Sequence, residues 1–488
     1  MYINNKILIG KNENFEACLL PKMANRHGLI TGASGSGKTI TLKVMAESFS
    51  DAGIPVFLAD IKGDLAATSQ PGESLAALES RLNKLRIENF EYKKFPVRYW
   101  DIFGTTGHPI RTSLDTVGPE ILSMMLGLSE AQEGVLTIVY KIAKDNNWKL
   151  DDIKDLRLLL QYVGDNKNDF ITKYGNITTG TIGVIQRCLL TLENQGADKF
   201  FGQPELDIND FINTNESGLG MINILDAVEL FKSPDLYASF LLWLLTNLFN
   251  KMPEVGDLDK PRIVFFFDEA HLLFNGMPSY RLKQITQVVK LIRSRGIGLY
   301  FISQSPTDIP SEIIAQLGNR IQHTLRAYTP AEQRTVKVAA DAFRTNPNFN
   351  TTEAILTLGI GEALVSFQND NGEPEIVEKV TILPPQSKMG TIDDITRNKI
   401  INTSSLIGEY DEIVERDSAF EELNQLIKEK LEEKEKIKKQ KEEEKAKKEA
   451  EKERKNSVGY KIGKKVANKT LDKAINKGLN SIFKSIFK

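Results

Sequence analysis

Cysteine and histidine are scarce in this chain, with two cysteines and four histidines among 488 residues. Cys18 and Cys188 stand in apolar stretches without metal-ligand spacing, and His27, His108, His271 and His323 are too scattered to make a zinc pair. The cysteines read as small buried side chains, and chemistry built on a protein-bound transition metal is excluded. Long apolar runs are also missing. No stretch approaches the roughly 18 consecutive apolar residues of a membrane-spanning helix, and the N-terminus carries no basic-then-apolar secretion signal. A cytoplasmic protein is expected. Net charge is only −2, but this near-neutral balance hides a strong asymmetry along the chain, so the overall charge says little about nucleic-acid partners.

What is present begins at Gly32-Ala33-Ser34-Gly35-Ser36-Gly37-Lys38-Thr39, which fits G-x-x-x-x-G-K-[ST] in full. The stretch before it, His27 to Thr31, reads as a short buried strand, and Ile40 to Ala46 as a helix beginning under the loop. Three glycines let backbone N–H groups turn toward a β-phosphate, and the helix N-terminus adds positive potential there. Lys38 would reach the β- and γ-phosphates, and Thr39 would hold Mg²⁺ through its hydroxyl. A flexible Gly/Ser linker would not sit between an apolar strand and an apolar-periodic helix.

Hydrolysis needs a second carboxylate site on a neighbouring strand. Arg262-Ile263-Val264-Phe265-Phe266-Phe267-Asp268-Glu269 supplies it, since five apolar residues in succession suit a central parallel strand buried on both faces. Ligands gather at the carboxyl ends of such strands. Asp268 is therefore expected beside the Mg²⁺ and Glu269 beside the attacking water. Asp60 and Asp226 also end apolar runs, but no second carboxylate follows, and they read as strand ends meeting water. Gly296 to Ser305 forms another buried strand tipped by Gln304, which would touch the γ-phosphate or the water, or would simply close the strand as a polar end. The order of these parts suits multimeric motor ATPases better than switch GTPases. Asn166-Lys167-Asn168-Asp169 matches the guanine-reading pattern N-K-x-D, yet it follows a helical stretch instead of a strand. ATP is the expected nucleotide.

These motifs resemble the HerA-like DNA translocase ATPases, of the same broad group as FtsK, and within them the YjgR-type family. The likeness runs from about Asn25 to Pro384 and rests on whole phrases. They include Ala24 to Gly28, Asp60-Ile61-Lys62-Gly63-Asp64-Leu65, Gly107 to Thr112, Phe266 to Phe274, Leu291 to Gly296, and Gln316 to His323. The resemblance implies an α/β P-loop core with a RecA/FtsK-like, mainly parallel sheet, assembled as a homo-hexamer on double-stranded DNA. It also implies an arginine that completes the neighbouring subunit's site. Arg293 matches that position, with Arg320 and Arg326 as alternatives. HerA itself carries a β-barrel ahead of its P-loop, whereas only about thirty residues precede Gly32 here. A nuclease partner is accordingly not assumed.

The expected organisation is a β-hairpin over residues 1–24, one half of the ATPase core over 25–72, and a mainly helical insertion over 73–260. The second half of the core follows over 261–386, including a hairpin around Asn369 to Gly372, with strands Glu362–Phe367 and Glu375–Val380. A connector spans 387–417. Residues 418–457 alternate Lys and Glu in blocks and read as a solvated charged helix or disordered spacer, with too few apolar positions for a sustained coiled-coil seam. Over residues 458–488, apolar side chains such as Ile462, Leu471 and Phe483 recur at helical spacing among lysines, the pattern of a basic amphipathic helix. Such a tail would contact an anionic membrane surface, a protein partner, nucleic acid or its own core. Two functions are thus expected: an ATP-driven DNA motor, or an ATP-dependent ring-forming assembly protein that does not translocate DNA.

Overall fold

The computed structural model describes residues 1–87 and 89–457. The chain divides into two units, Met1–Leu423 and Asn424–Lys488. The first is built on a 13-stranded sheet. Its strands are β1 (Tyr2–Ile3), β2 (Lys6–Lys11), β3 (Glu16–Leu19), β4 (Gly28–Thr31), β5 (Val56–Asp60), β6 (Val97–Asp101), β7 (His108–Pro109), β8 (Ile222–Asp226), β9 (Ile263–Phe267), β10 (Ile297–Ser303), β11 (Asn319–Gln322), β12 (Glu362–Ser366) and β13 (Glu378–Ile382). The order is β1-β2-β13-β12-β11-β4-β10-β9-β5-β8-β6-β7, with β3 paired to β2. From β11 to β7 every pairing is parallel; from β12 outward the strands run antiparallel.

The division follows from residue type. β4, β9 and β10 are buried along their full length, as all-apolar runs covered on both faces must be. The helix α1 (Lys38–Asp51) leaves the P-loop and is buried from Thr41 to Ser50. Phe49 on α1 meets Phe266 and Tyr300 at ring-centroid distances of 6.2 and 5.9 Å, which seats α1 on β9 and β10. Because α1 is enclosed nearly all round, its charged residues need partners inside the fold. Lys43 Nζ donates to Thr68 Oγ1 (3.0 Å) and the Lys388 carbonyl (2.6 Å), and Glu47 accepts from the backbone N–H groups of Gln386 (2.7 Å) and Ser387 (3.1 Å).

Several sequence expectations are corrected. Residues 73–260 are rich in helix, including Glu130–Asp145, Ile153–Asp165, Thr179–Leu192 and Pro234–Lys251, but besides the expected strand ending at Asp226 (β8) they also give β6 and β7 to the sheet. β6 was hard to see because Arg98 interrupts its apolar run; that guanidinium is satisfied by the Asp210 carbonyl (2.6 Å) and Ser405 Oγ (3.1 Å). The second hairpin strand lies at Glu378–Ile382, later than expected: Gln368 bridges Pro374 at the turn, but the register shifts by one residue before Val365 pairs with Glu378 in the regular ladder. Asp60 does not meet water. It is buried and accepts the N–H groups of Asp64 (3.1 Å) and Leu65 (3.0 Å), closing the loop that carries Lys62.

The segment after Pro385 is no loose connector either. Arg397 Nη1 pairs with Asp226 Oδ2 at 2.6 Å, so Asp226 ends its strand in an ion pair, and Arg111 Nη1 donates to the Tyr410 carbonyl at 2.7 Å. The Ala419 N–H reaches the Lys149 carbonyl (2.8 Å), fastening residues 386–419 along the first unit. Both cysteines are half-buried, not enclosed. Asn166 to Asp169 lies at the junction of helices Ile153–Asp165 and Lys167–Tyr174, with no strand before it to aim a base-reading aspartate.

In the second unit the described residues are helical to Ser457 and almost entirely exposed, as their Lys/Glu composition requires. The amphipathic pattern of residues 458–488 lies outside the described residues. No helix among the described residues is long and apolar enough to cross a membrane.

Candidate nucleotide site

The P-loop leaves β4 at Thr31 and enters α1 at Lys38, with Gly37 as the helix N-cap. Two of its glycines are required by space as well as by backbone. Gly32 has φ +156°, and a Cβ there would stand 2.5 Å from His323 Cβ. Gly37 has φ +113°, a left-handed value that L side chains rarely adopt. The loop is held from the side by two backbone bonds: Ala33 N–H to the Thr324 carbonyl (2.8 Å), and Gly361 N–H to the Ser36 carbonyl (3.1 Å). Under it, His323 bridges Thr41 Oγ1 and the Glu362 carbonyl, each at 2.9 Å, and burial lowers its pKa to about 4. A neutral imidazole is thus fixed beneath the phosphate loop. Sequence reasoning missed this role, although a polar residue directly after a buried strand was the available signal.

Lys38 Nζ donates to the Gly32 (2.6 Å) and Ala33 (3.2 Å) carbonyls, folding back over the loop it belongs to. Burial lowers its pKa, against the raising influence of Asp268 and Glu269. β9 and β4 flank β10 on either side, in register Tyr300↔Gly28 and Tyr300↔Phe266. Asp268 and Glu269 therefore emerge one strand away from the P-loop. Burial, then the charge of Glu269, raises the Asp268 carboxyl to about 6. Its Oδ1 accepts the Glu269 N–H at 2.9 Å, and Glu269 takes φ +47°, an uncommon value for a non-glycine residue that turns its side chain off the strand line.

Gln304 Nε2 lies 3.5 Å from Glu269 Oε1, so the structure brings these two together. Lys62, at the tip of β5, is exposed and close enough to lower the pKa of both Lys38 and Asp268. It is a second cation of the site that sequence reasoning left unassigned. The donor set fits a magnesium-bound triphosphate. Ser36 Oγ is a buried polar atom without a hydrogen-bond partner, an arrangement that calls for a ligand or ordered water, whereas Glu269 Oε2 has His271 Nδ1 at 3.3 Å. Thr39 and Asp268 are the oxygen donors that would hold Mg²⁺, a hard cation.

The three arginines fall elsewhere. Arg293 lies in the turn Ile292–Arg295 before β10, at the opposite end of the strands from the P-loop, about 20 Å away along seven residues of strand. Its guanidinium is half-exposed, and Asp257 stands 3.5 Å away. Arg320 spends its guanidinium on the carbonyls of Leu317 (3.3 Å), Ala342 (3.0 Å) and Ile314 (3.4 Å) of its own chain. Arg326 is exposed, two residues beyond the Thr324 carbonyl that holds the P-loop.

The family model described as helicase HerA-like C-terminal matches residues 5–488. The DNA double-strand break repair helicase HerA of Sulfolobus acidocaldarius is 23% identical over 371 residues, covering 73% of this chain and 65% of that protein. The protein of the same name from Saccharolobus solfataricus is 24% identical over 423 residues, covering 84% of this chain and 72% of that one. The chain spans about two thirds of the length of the curated relatives it matches. Among solved structures, plasmid coupling protein TrwB in complex with a non-hydrolysable GTP analogue has 12% identity and a TM-score of 0.49, covering 77% of this chain and 88% of that one. With the P-loop, the Asp268-Glu269 strand and a match over nearly its whole length, this chain belongs to the helicase HerA-like C-terminal family.

Proposed function

We propose that this protein is a Mg²⁺-dependent, ATP-hydrolysing motor that works as a hexameric ring on double-stranded DNA. The observation that carries the reading is the convergence of Lys38, Asp268, Glu269 and Gln304 at the carboxyl ends of three adjacent strands. Lys38 leaves the loop carbonyls to grip the β- and γ-phosphates, while Glu269, held against Gln304, orients the attacking water. Mg²⁺, held by Thr39 and Asp268, supplies neutralisation of charge on the phosphate oxygens. Relatives named as DNA double-strand break repair helicases support DNA as the substrate.

An arginine acting between subunits belongs to the same reading. Arg293 suits it because its place before β10 removes it from its own P-loop and leaves it half-exposed. Arg326 is the second candidate by exposure, and Arg320 the weakest because its donors are already used. The long charged helix Ala419–Ser457, which a simple motor does not require, favours a second reading in which the ring tethers a protein or an anionic membrane without moving DNA. ATPase rate measured with duplex DNA and with anionic vesicles separates the two. Stimulation by DNA that weakens with salt supports the motor. A rate indifferent to DNA but raised by vesicles overturns it in favour of tethering.

A further inference from the structure

The catalytic carboxylates fix the direction in which a nucleotide must lie. Asp268, Glu269 and Gln304 stand on the β9 and β10 side of the P-loop, so the γ-phosphate end faces them and the nucleoside end faces the opposite flank, beside β11 and β12. On that flank the turn before β12 is pressed onto the loop. Gly361 donates its N–H to the Ser36 carbonyl at 3.1 Å, and a Cβ built on Gly37 would stand only 3.2 Å from Gly361 N.

Two side chains are presented at this turn. Ile360, the residue before Gly361, is 76% exposed and so leaves its apolar side chain uncovered beside the loop. Arg81, from the helix α2 (Ala76–Leu85), lays its guanidinium on the turn: Nη2 donates to the Ile360 carbonyl at 3.3 Å, and a Cβ on Gly361 would fall 2.5 Å from Nη1. Gly361 has φ +76°, so the backbone conformation favours glycine there, and the guanidinium occupies the space a Cβ would take. Among the described residues Arg81 makes no ion pair. A half-buried cation held by one neutral carbonyl keeps most of its donors and its flat face for something else.

We propose that Arg81 and Ile360 form the wall against which the base and ribose of a purine nucleoside triphosphate pack. The guanidinium plane stacks on the base or donates to the ribose hydroxyls, and Ile360 supplies apolar contact. This rests on the nucleotide-site reading above and adds the residues that select a nucleoside over bare polyphosphate.

The test uses the full chain and calorimetric titration with ATP, ADP and inorganic tripolyphosphate. Arg81→Ala and Ile360→Ser should each weaken ATP and ADP by about tenfold, the scale of one lost contact, and leave tripolyphosphate within about twofold. Arg81→Lys, which keeps charge but loses the planar fork, should behave like Arg81→Ala. Unchanged ATP affinity in both Arg81→Ala and Ile360→Ser would overturn the proposal, as would an equal loss of ATP and tripolyphosphate. Wild-type protein that binds neither ligand would instead sink the nucleotide-site reading. Neither side chain is part of the core, so thermal melting should show all three variants folded.

Discussion

Gln304 Nε2 and Glu269 Oε1 are 3.5 Å apart, joining the tips of two parallel strands whose intervening chain runs through two helices and a turn. In the proposed mechanism Glu269 is the base, and this contact would let Gln304 orient its carboxylate. Glu269→Gln should slow ATP hydrolysis by about 10²–10⁴-fold while nucleotide still binds. Gln304→Ala should lower kcat by a smaller factor, on the order of tenfold, with KM little changed because the phosphates are held elsewhere. Steady-state kinetics beside equilibrium binding checks both, and normal turnover in Glu269→Gln would remove the catalytic assignment.

Gly32→Ala should abolish nucleotide binding without touching any phosphate ligand. The added methyl would meet His323 Cβ at 2.5 Å, and His323 is pinned by two hydrogen bonds and cannot retreat. Gly35→Ala is the control: its φ of +77° adds strain, of order 1 kcal/mol, but nothing lies within 4 Å of the new carbon. Titration with ATP should show a large loss in the first variant and a modest one in the second.

If Asp268 holds Mg²⁺ as proposed, its raised carboxyl should make metal binding pH-dependent. Above about pH 6 the group is ionised and able to hold Mg²⁺; as pH falls through 6 it takes a proton, so Mg²⁺-dependent nucleotide affinity should drop between pH 7 and pH 5. For the free protein the sign is opposite. A carboxyl with a folded pKa above its unfolded value costs stability at high pH, and the cost disappears as pH falls through 6 toward 4. Asp268→Asn should therefore melt higher than wild type at pH 8, with the gain vanishing near pH 4. A melting difference that does not change with pH would contradict this electrostatic account.

Arg397→Ala should destabilise the first unit by about 3 kcal/mol, because it strands Asp226 in a largely enclosed position. The double replacement Arg397→Ala with Asp226→Asn should recover part of that loss, since the uncompensated charge is gone. Denaturant melts of the two variants test it, and no recovery would mean that the Arg397 contact with the Tyr99 ring matters more than the ion pair.

Local pattern made the parallel core readable. Buried runs such as Phe265 to Phe267 and Leu299 to Ile302 read as central strands, and Gly32 to Thr39, set between a strand and a helix, reads as a phosphate loop. β6 was obscured because Arg98 breaks its apolar run, and its satisfaction by Asp210 and Ser405 is invisible until those residues are placed beside it. The strand tips were legible at Asp268 and misleading at Asp60, since an acid that caps its own loop and an acid that meets water look alike in one dimension.

The sequence by itself determined the phosphate loop, the carboxylate pair and the strands that carry them, because each depends on residues adjacent in the chain. Tertiary structure alone decided what surrounds them. His323 lies under the loop, Arg81 lies against Gly361, and Arg397 neutralises Asp226, at separations of 282, 279 and 171 residues for the bonds to Thr41, Ile360 and Asp226. Burial, not local preference, dictates those partnerships: a polar group taken out of water must find whichever partner the fold brings within reach.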